Sequence, residues 1–175
     1  MAAIWYFAYG SNMDSATLRG RRGISFRRAV PARAVGWQLV FDKPPVVPIG
    51  ESFANIVSNA SAHVLGVAFE VGAENLKRIE LTEGVRAGNY DRLAVPVEPL
   101  SQLPAASLVA FTLTSNRRDP KLRPSTRYMG LLISGAVEHG LPAEYVDYLR
   151  TVPAQPETAD AVQFRALLDQ VMRRI

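Results

Sequence analysis

The run IWYFAYGSNM occupies residues 4–13. Its first half is β-branched and aromatic, the composition of a strand, and Gly10, Ser11 and Asn12 stop it. Asp14 or Ser15 then caps a short helix expected to run through Arg19 and to close at Gly20. A strand ending in Gly-Ser-Asn ahead of a helix can aim successive backbone N–H groups and a hydroxyl at one place, which makes a nest for a carboxylate or an oxyanion. The plainer alternative is a strand-to-helix turn capped by Ser11 or Asn12. Gly10 is expected to supply a φ that bulkier residues resist. Neither GxGxxG nor GxxxxGK occurs, so this is not a phosphate-binding fingerprint.

Outward from this run, strands dominate the first part of the chain. Residues 27–42 alternate as one long strand, or two interrupted near Pro31 and Gly36. Pro44, Pro45 and Pro48 make Lys43 to Gly50 a loop of restricted backbone. Phe53 to Ser58 and Val64 to Val71 are strand-like and read as a hairpin joined by Asn59, Ala60 and Ser61. Ala73 to Thr82 is helical, with Leu76 and Ile79 on one face, and Gly84 ends it. Tyr90 to Val97 and Ser107 to Leu113 return to strand composition across a Pro-containing turn.

The later part is helical. Tyr128, Leu131, Leu132, Gly135 and Ala136 place a helix over Ser125 to His139, stopped by Gly140, Leu141 and Pro142. Ala143 to Leu149 is a second short helix. A C-terminal helix within 158–175 puts Phe164, Leu167, Leu168, Val171 and Met172 on one stripe, with a basic end suited to its dipole. Strands first and helices late give an α+β class, and no linker or repeat divides residues 1–175, so one domain is expected.

Composition narrows the chemistry. At 175 residues, 48% hydrophobic and 21% charged, the chain is of ordinary globular type. With no cysteine, disulfides, thiolate nucleophiles and thiolate metal sites are excluded, in keeping with a cytoplasmic location. His63 and His139 are too few for a multi-histidine metal site. The N-terminus has no basic region ahead of its short apolar run, and no apolar run nears the roughly 20 residues that cross a bilayer, so neither a signal peptide nor membrane association is expected. The net charge of +4 comes mainly from Arg19, Arg21, Arg22, Arg27, Arg28 and Arg33. They lack interleaved stacking aromatics, so we read them as a solvated surface rather than a nucleic-acid site; binding an anionic partner is the alternative.

Three segments can carry chemistry: the turn at Tyr9 to Asn12, the stretch LTEGVRAGNY at 81–90, and the helix start PSTRY at 124–128. Glu83 falls at a helix C-terminus, where the dipole disfavours negative charge. That suits a group which must accept and return a proton near neutral pH, and it implies that neutralising Glu83 leaves stability level or slightly raised. The alternative is a solvated helix-end residue. Tyr128 either fills the core or offers its hydroxyl to a ligand.

In content and order, YGSN, a mid-chain EG followed by GxY, PSxxY and SGAVEHGLPAEYVDYL together resemble the γ-glutamylcyclotransferases. NIVSNASAHVLGVAFEV looks like the family's strand pair before the catalytic helix. The resemblance runs from about Tyr6 to Leu149, with Met13 where the family often has Leu. It implies a compact, barrel-like mixed sheet wrapped by helices. It also implies an enzyme that breaks a C–N bond by closing a γ-glutamyl group into 5-oxoproline and releasing the amine. Glu83 matches the acid/base; Tyr9, Gly10, Ser11 and Asn12 match the substrate loop; Tyr90 and Tyr128 match pocket tyrosines. The partner implied is a small γ-glutamyl compound, with no metal or organic cofactor. The leaving amine is not named by the resemblance, which leaves open a γ-glutamylamine cyclotransferase, a non-catalytic binding member of the same fold, and a homodimer.

Overall fold

In the computed structural model, which describes residues 3–102 and 107–172, a closed barrel forms in the strand order β1-β3-β2-β4-β5. The strands are β1 (Ile4–Ala8), β2 (Phe26–Lys43), β3 (Phe53–Val71), β4 (Asp91–Pro99) and β5 (Leu108–Thr114). β1 pairs antiparallel with β3 and parallel with β5 through Tyr6 and Phe111, which closes the ring. Closure removes the open edges that would otherwise invite pairing with other chains. Phe7, Val67, Phe69, Val97 and Ala110 are fully buried at its centre. Four helices, α1 (Ala73–Thr82), α2 (Thr126–Glu138), α3 (Ala143–Thr151) and α4 (Ala159–Met172), accompany the barrel among the described residues, giving the α+β arrangement expected. None of these helices is long and apolar enough to cross a membrane.

Several local expectations change. The anticipated hairpin within 53–71 is one continuous strand, because both halves pair antiparallel with β2. Val35 faces His63 and Trp37 faces Ser58, so Asn59 to Ala62 bulge opposite Gly36. The turn signal is local: the Ser61 N–H donates to Asn59 Oδ1 at 3.0 Å, but the strand resumes in the same direction. β2 itself is a single strand, irregular at Gly36 and continuous through Pro31. The first helical stretch does not close at Gly20. Asp14 caps it, its Oδ2 accepting from Thr17 N–H at 2.7 Å, and a π-helical turn carries on through Arg21 until Gly23 takes φ +64°.

α2 meets its sequence signals closely: Ser125 caps it, and Gly140 and Leu141 close it with amides donating to Val137 and Ala136 carbonyls. It lies directly on the turn after β1. A Cβ added at Gly135 would come within 2.5 Å of the Asp14 nitrogen, and Ser134 Oγ donates to Asp14 Oδ1 at 3.0 Å. α4 departs from its expected packing. Ala161 is buried, whereas Leu167 is 56% exposed, and Phe164, Leu168 and Val171 face a cavity rather than the core. The Pro-containing turn around Pro104 and the basic end at Arg173 and Arg174 lie outside the described residues, as does the side chain of Met172.

Candidate active site

β1 ends at Ala8, and the chain turns over Tyr9 and Gly10 into a single 3-10 turn, Ser11–Met13. This turn buries Asn12, whose Nδ2 donates to Tyr6 Oη at 2.9 Å and to Glu83 Oε1 at 2.9 Å. The second bond joins residues 71 positions apart. Glu83 is the C-cap of α1, and Gly84 turns left-handed after it at φ +70°. Its side chain is 12% exposed, and Oε1 also meets Arg22 Nη2 at 2.8 Å. Arg22 Nη1 donates to the Thr82 carbonyl at 3.0 Å, so one guanidinium both caps α1 and grips its terminal carboxylate. Both of these contacts fall on Oε1.

Two tyrosines bracket Ala54 on β3. Tyr128 Oη accepts from the Ala54 N–H at 3.1 Å, and Tyr90 Oη donates to the Ala54 carbonyl at 3.4 Å. Tyr128 Oη acts here as an acceptor, which leaves its proton to donate. Burial pushes the Tyr128 hydroxyl up to about 12 and holds Tyr6, Tyr9 and Tyr90 above the ordinary tyrosine range, with Glu83 adding to each. All four are neutral near pH 7 and serve as dipoles and donors. Tyr9 already spends its hydroxyl on the Leu113 carbonyl.

Gly10 corrects the reason given from sequence. Its φ is −112°, extended backbone open to any residue, but an added Cβ would sit 3.0 Å from Tyr128 Oη. Space, rather than φ, requires glycine here.

The seven residues singled out from sequence, Tyr9, Gly10, Ser11, Asn12, Glu83, Tyr90 and Tyr128, all line one recess of about 40 Å³. It shares Ser11, Glu83, Tyr90 and Tyr128 with a larger cavity of about 430 Å³. Pro45, Val46, Ile49, Leu81, Leu131, Phe164, Leu168 and Val171 make much of the larger wall apolar. Polar members that escaped sequence reasoning include Tyr6, Arg22, Lys43 and Asn89. Arg22 belongs to the arginine cluster read as surface, of which Arg28 pairs with Glu70 and Arg33 with Glu98 on the barrel, while Arg21 pairs with Asp169 of α4 and also lines the cavity. Nothing local distinguishes Arg22. For Lys43 a signal existed: a cation ends an apolar strand immediately before Pro44-Pro45.

Lys43 is fully buried, its Nζ donates to Asn89 Oδ1, and it lies 4.2 Å from the centre of the Tyr90 ring. Burial lowers it to about 8, helped by Arg117 and opposed by Glu83. Ser15, His139 and Glu138 also meet, but both contacts fall on the same nitrogen, Nε2, at 3.2 and 3.8 Å. A relay needs the two ring nitrogens to serve different partners, so this is no triad.

Residues 63–149 match the model of the AIG2-like family. The chain is 33% identical to the γ-glutamyl cyclotransferase aclK of Aspergillus oryzae over 84% of its own length and 60% of that protein. It is 30% identical to the γ-glutamyl cyclotransferase gliK of Aspergillus fumigatus over 89% of its length and 65% of that protein. The chain thus spans somewhat under two thirds of these curated relatives. A solved structure titled γ-glutamyl cyclotransferase superposes with a TM-score of 0.78 at 22% identity, covering 99% of this chain and 100% of that one, and so shares the fold.

Proposed function

We propose that the chain, which resembles the γ-glutamyl cyclotransferases in sequence and shares their fold, cyclises a γ-glutamyl compound to 5-oxoproline with release of the amine, Glu83 moving the protons. The observation that carries this most is the 2.9 Å bond from Asn12 to Glu83 inside a cavity lined by buried tyrosines. Nucleophile and electrophile belong to one substrate, so the protein's work is to hold the folded-back conformer. The Glu83 carboxylate takes a proton from the α-ammonium, and the freed amine attacks the γ-carbonyl carbon. The oxygen that gains charge is met by the Tyr128 hydroxyl proton. The bond to the leaving nitrogen then breaks as Glu83 returns its proton there, and Glu83 relays a second proton from the new ring nitrogen to the departing amine. Of the three ammonium protons, one stays on the lactam nitrogen and two depart with the leaving amine, so no co-reactant is needed and Glu83 ends as it began.

The apolar outer half of the cavity favours a leaving amine that bears an apolar group, a class that includes γ-glutamylamines as well as amino acids. The cytoplasm is the compartment we propose, on the absence of cysteine. Incubation with a panel of γ-glutamyl amino acids and γ-glutamylamines, with 5-oxoproline as the readout, tests the reading. Release from at least one member is expected; none from the whole panel overturns it.

A further inference from the structure

A buried ammonium without a counter-ion is costly, by several kcal/mol after relaxation, and Lys43 is fully buried. The carboxylates near it are engaged elsewhere: Glu83 with Arg22 at 2.8 Å, Asp42 with Arg118 at 2.5 Å, and Glu51 with the Thr158 amide at 2.9 Å. Its described partners are neutral, the Asn89 carbonyl oxygen and the Tyr90 ring. An ammonium has three protons, so one remains to be satisfied. Lys43 lines the same cavity as Glu83. Asn89 ties the two together, because its Nδ2 donates to the Glu83 carbonyl at 2.9 Å while its Oδ1 accepts from Lys43.

A fixed cation beside a fixed carboxylate is the complement of an amino-acid head group, which carries an ammonium and a carboxylate on one carbon. We propose that the Lys43 ammonium is the receptor for the α-carboxylate of the γ-glutamyl unit, seating the α-ammonium on Glu83. This rests on the cyclotransferase reading and adds to it a division of labour: Lys43 takes the standing charge, and the Tyr128 hydroxyl is free for the charge that develops during attack. Of the other cations that line this cavity, Arg21 is paired with Asp169, Arg127 and Arg165 with Glu157, and Arg22 with the Thr82 carbonyl and Glu83, although the Arg22 Nε is buried without a partner.

The test compares ligands with and without the carboxylate. A 4-aminobutyryl amide undergoes the same ring closure, to pyrrolidin-2-one, but has no α-carboxylate. Wild-type protein is expected to prefer the γ-glutamyl substrate in kcat/KM, and Lys43→Met to lower that preference by about 30-fold or more, the scale for removing one partner of a buried charge pair. Lys43→Gln serves if the Met variant does not fold. An equal loss on both substrates, or a preference that survives Lys43→Met and collapses in Arg22→Met, overturns the assignment. A second arm needs no turnover. Binding of 5-oxoproline and of pyrrolidin-2-one, followed by NMR titration, should differ in wild type and converge in Lys43→Met. A wild type that binds both equally sinks the Lys43 assignment by itself, whereas an inactive panel with preserved discrimination sinks only the catalytic reading.

Discussion

At the scale of the residue, Glu83 and Lys43 carry opposite charges into one buried site, and each makes a distinct prediction. Glu83→Gln keeps size and hydrogen bonding but cannot take a proton, so 5-oxoproline release should fall about 10²-fold to 10⁴-fold. The helix-end argument alone implied level or higher stability for this change. Arg22 reverses the sign: its side chain is 18% exposed and would lose its counter-ion. Thermal unfolding should show Glu83→Gln less stable by about 2 kcal/mol. For Lys43 the folded value of about 8 lies below the ordinary 10.5. Between these limits the unfolded chain binds the proton more tightly, so the cost of the buried charge is full below about pH 8 and is relieved as pH rises towards 10.5. Wild type should therefore gain stability relative to Lys43→Met across that window, while its affinity for 5-oxoproline declines above about pH 8. Parallel thermal melts and titrations from pH 7 to 10 measure both; a flat difference between the two proteins would contradict the assignment of that titration to Lys43.

At the scale of the element, the site depends on how α2 seats the turn after β1. Gly135 lets the helix backbone approach Asp14, whose carboxylate caps the next helical stretch and accepts from Ser134. Gly135→Ala would force a Cβ to within 2.5 Å of main-chain atoms, which cannot swing aside as a side chain could. A loss of about 1–3 kcal/mol is expected in denaturant unfolding, outweighing the better helix propensity of alanine. KM should rise with it, because Asn12 and Ser11 ride on the displaced turn. A variant as stable as wild type would mean that α2 tolerates withdrawal from the turn. α1 shows the other side of local control. Its sequence signals set its end at Gly84, but Arg22, from a different part of the chain, orients the carboxylate at that end.

At the scale of the whole molecule, the barrel supplies the polar end of the cavity and α4, with the loop after β2, supplies much of its apolar wall. α4 is pinned across the mouth by Arg21 on Asp169 at 3.0 Å and by Thr158 on Glu51 at 2.9 Å. Its partly exposed stripe makes sense as a wall for a ligand. Phe164→Ala should lower kcat/KM about tenfold or more for substrates with an apolar leaving group and much less for γ-glutamylglycine, the range expected from trimming a hydrophobic pocket. An equal effect on both would remove α4 from substrate choice. The sequence by itself determined β1, α1, α2 and α3 nearly to the residue, because strand composition, Ser125, Gly84 and Gly140 act on neighbouring backbone. It also picked out seven of the residues that line the recess, through the resemblance carried by their motif order. Only the tertiary structure decided that 53–71 is one strand, since the choice between turn and bulge lies in the pairing with β2 rather than in Asn59 to Ala62. It also brought Arg22 onto Glu83 and set Lys43 beside it through Asn89. The cost of burying a charge depends on which other charges the barrel carries to the same place, and no short window of sequence contains that information.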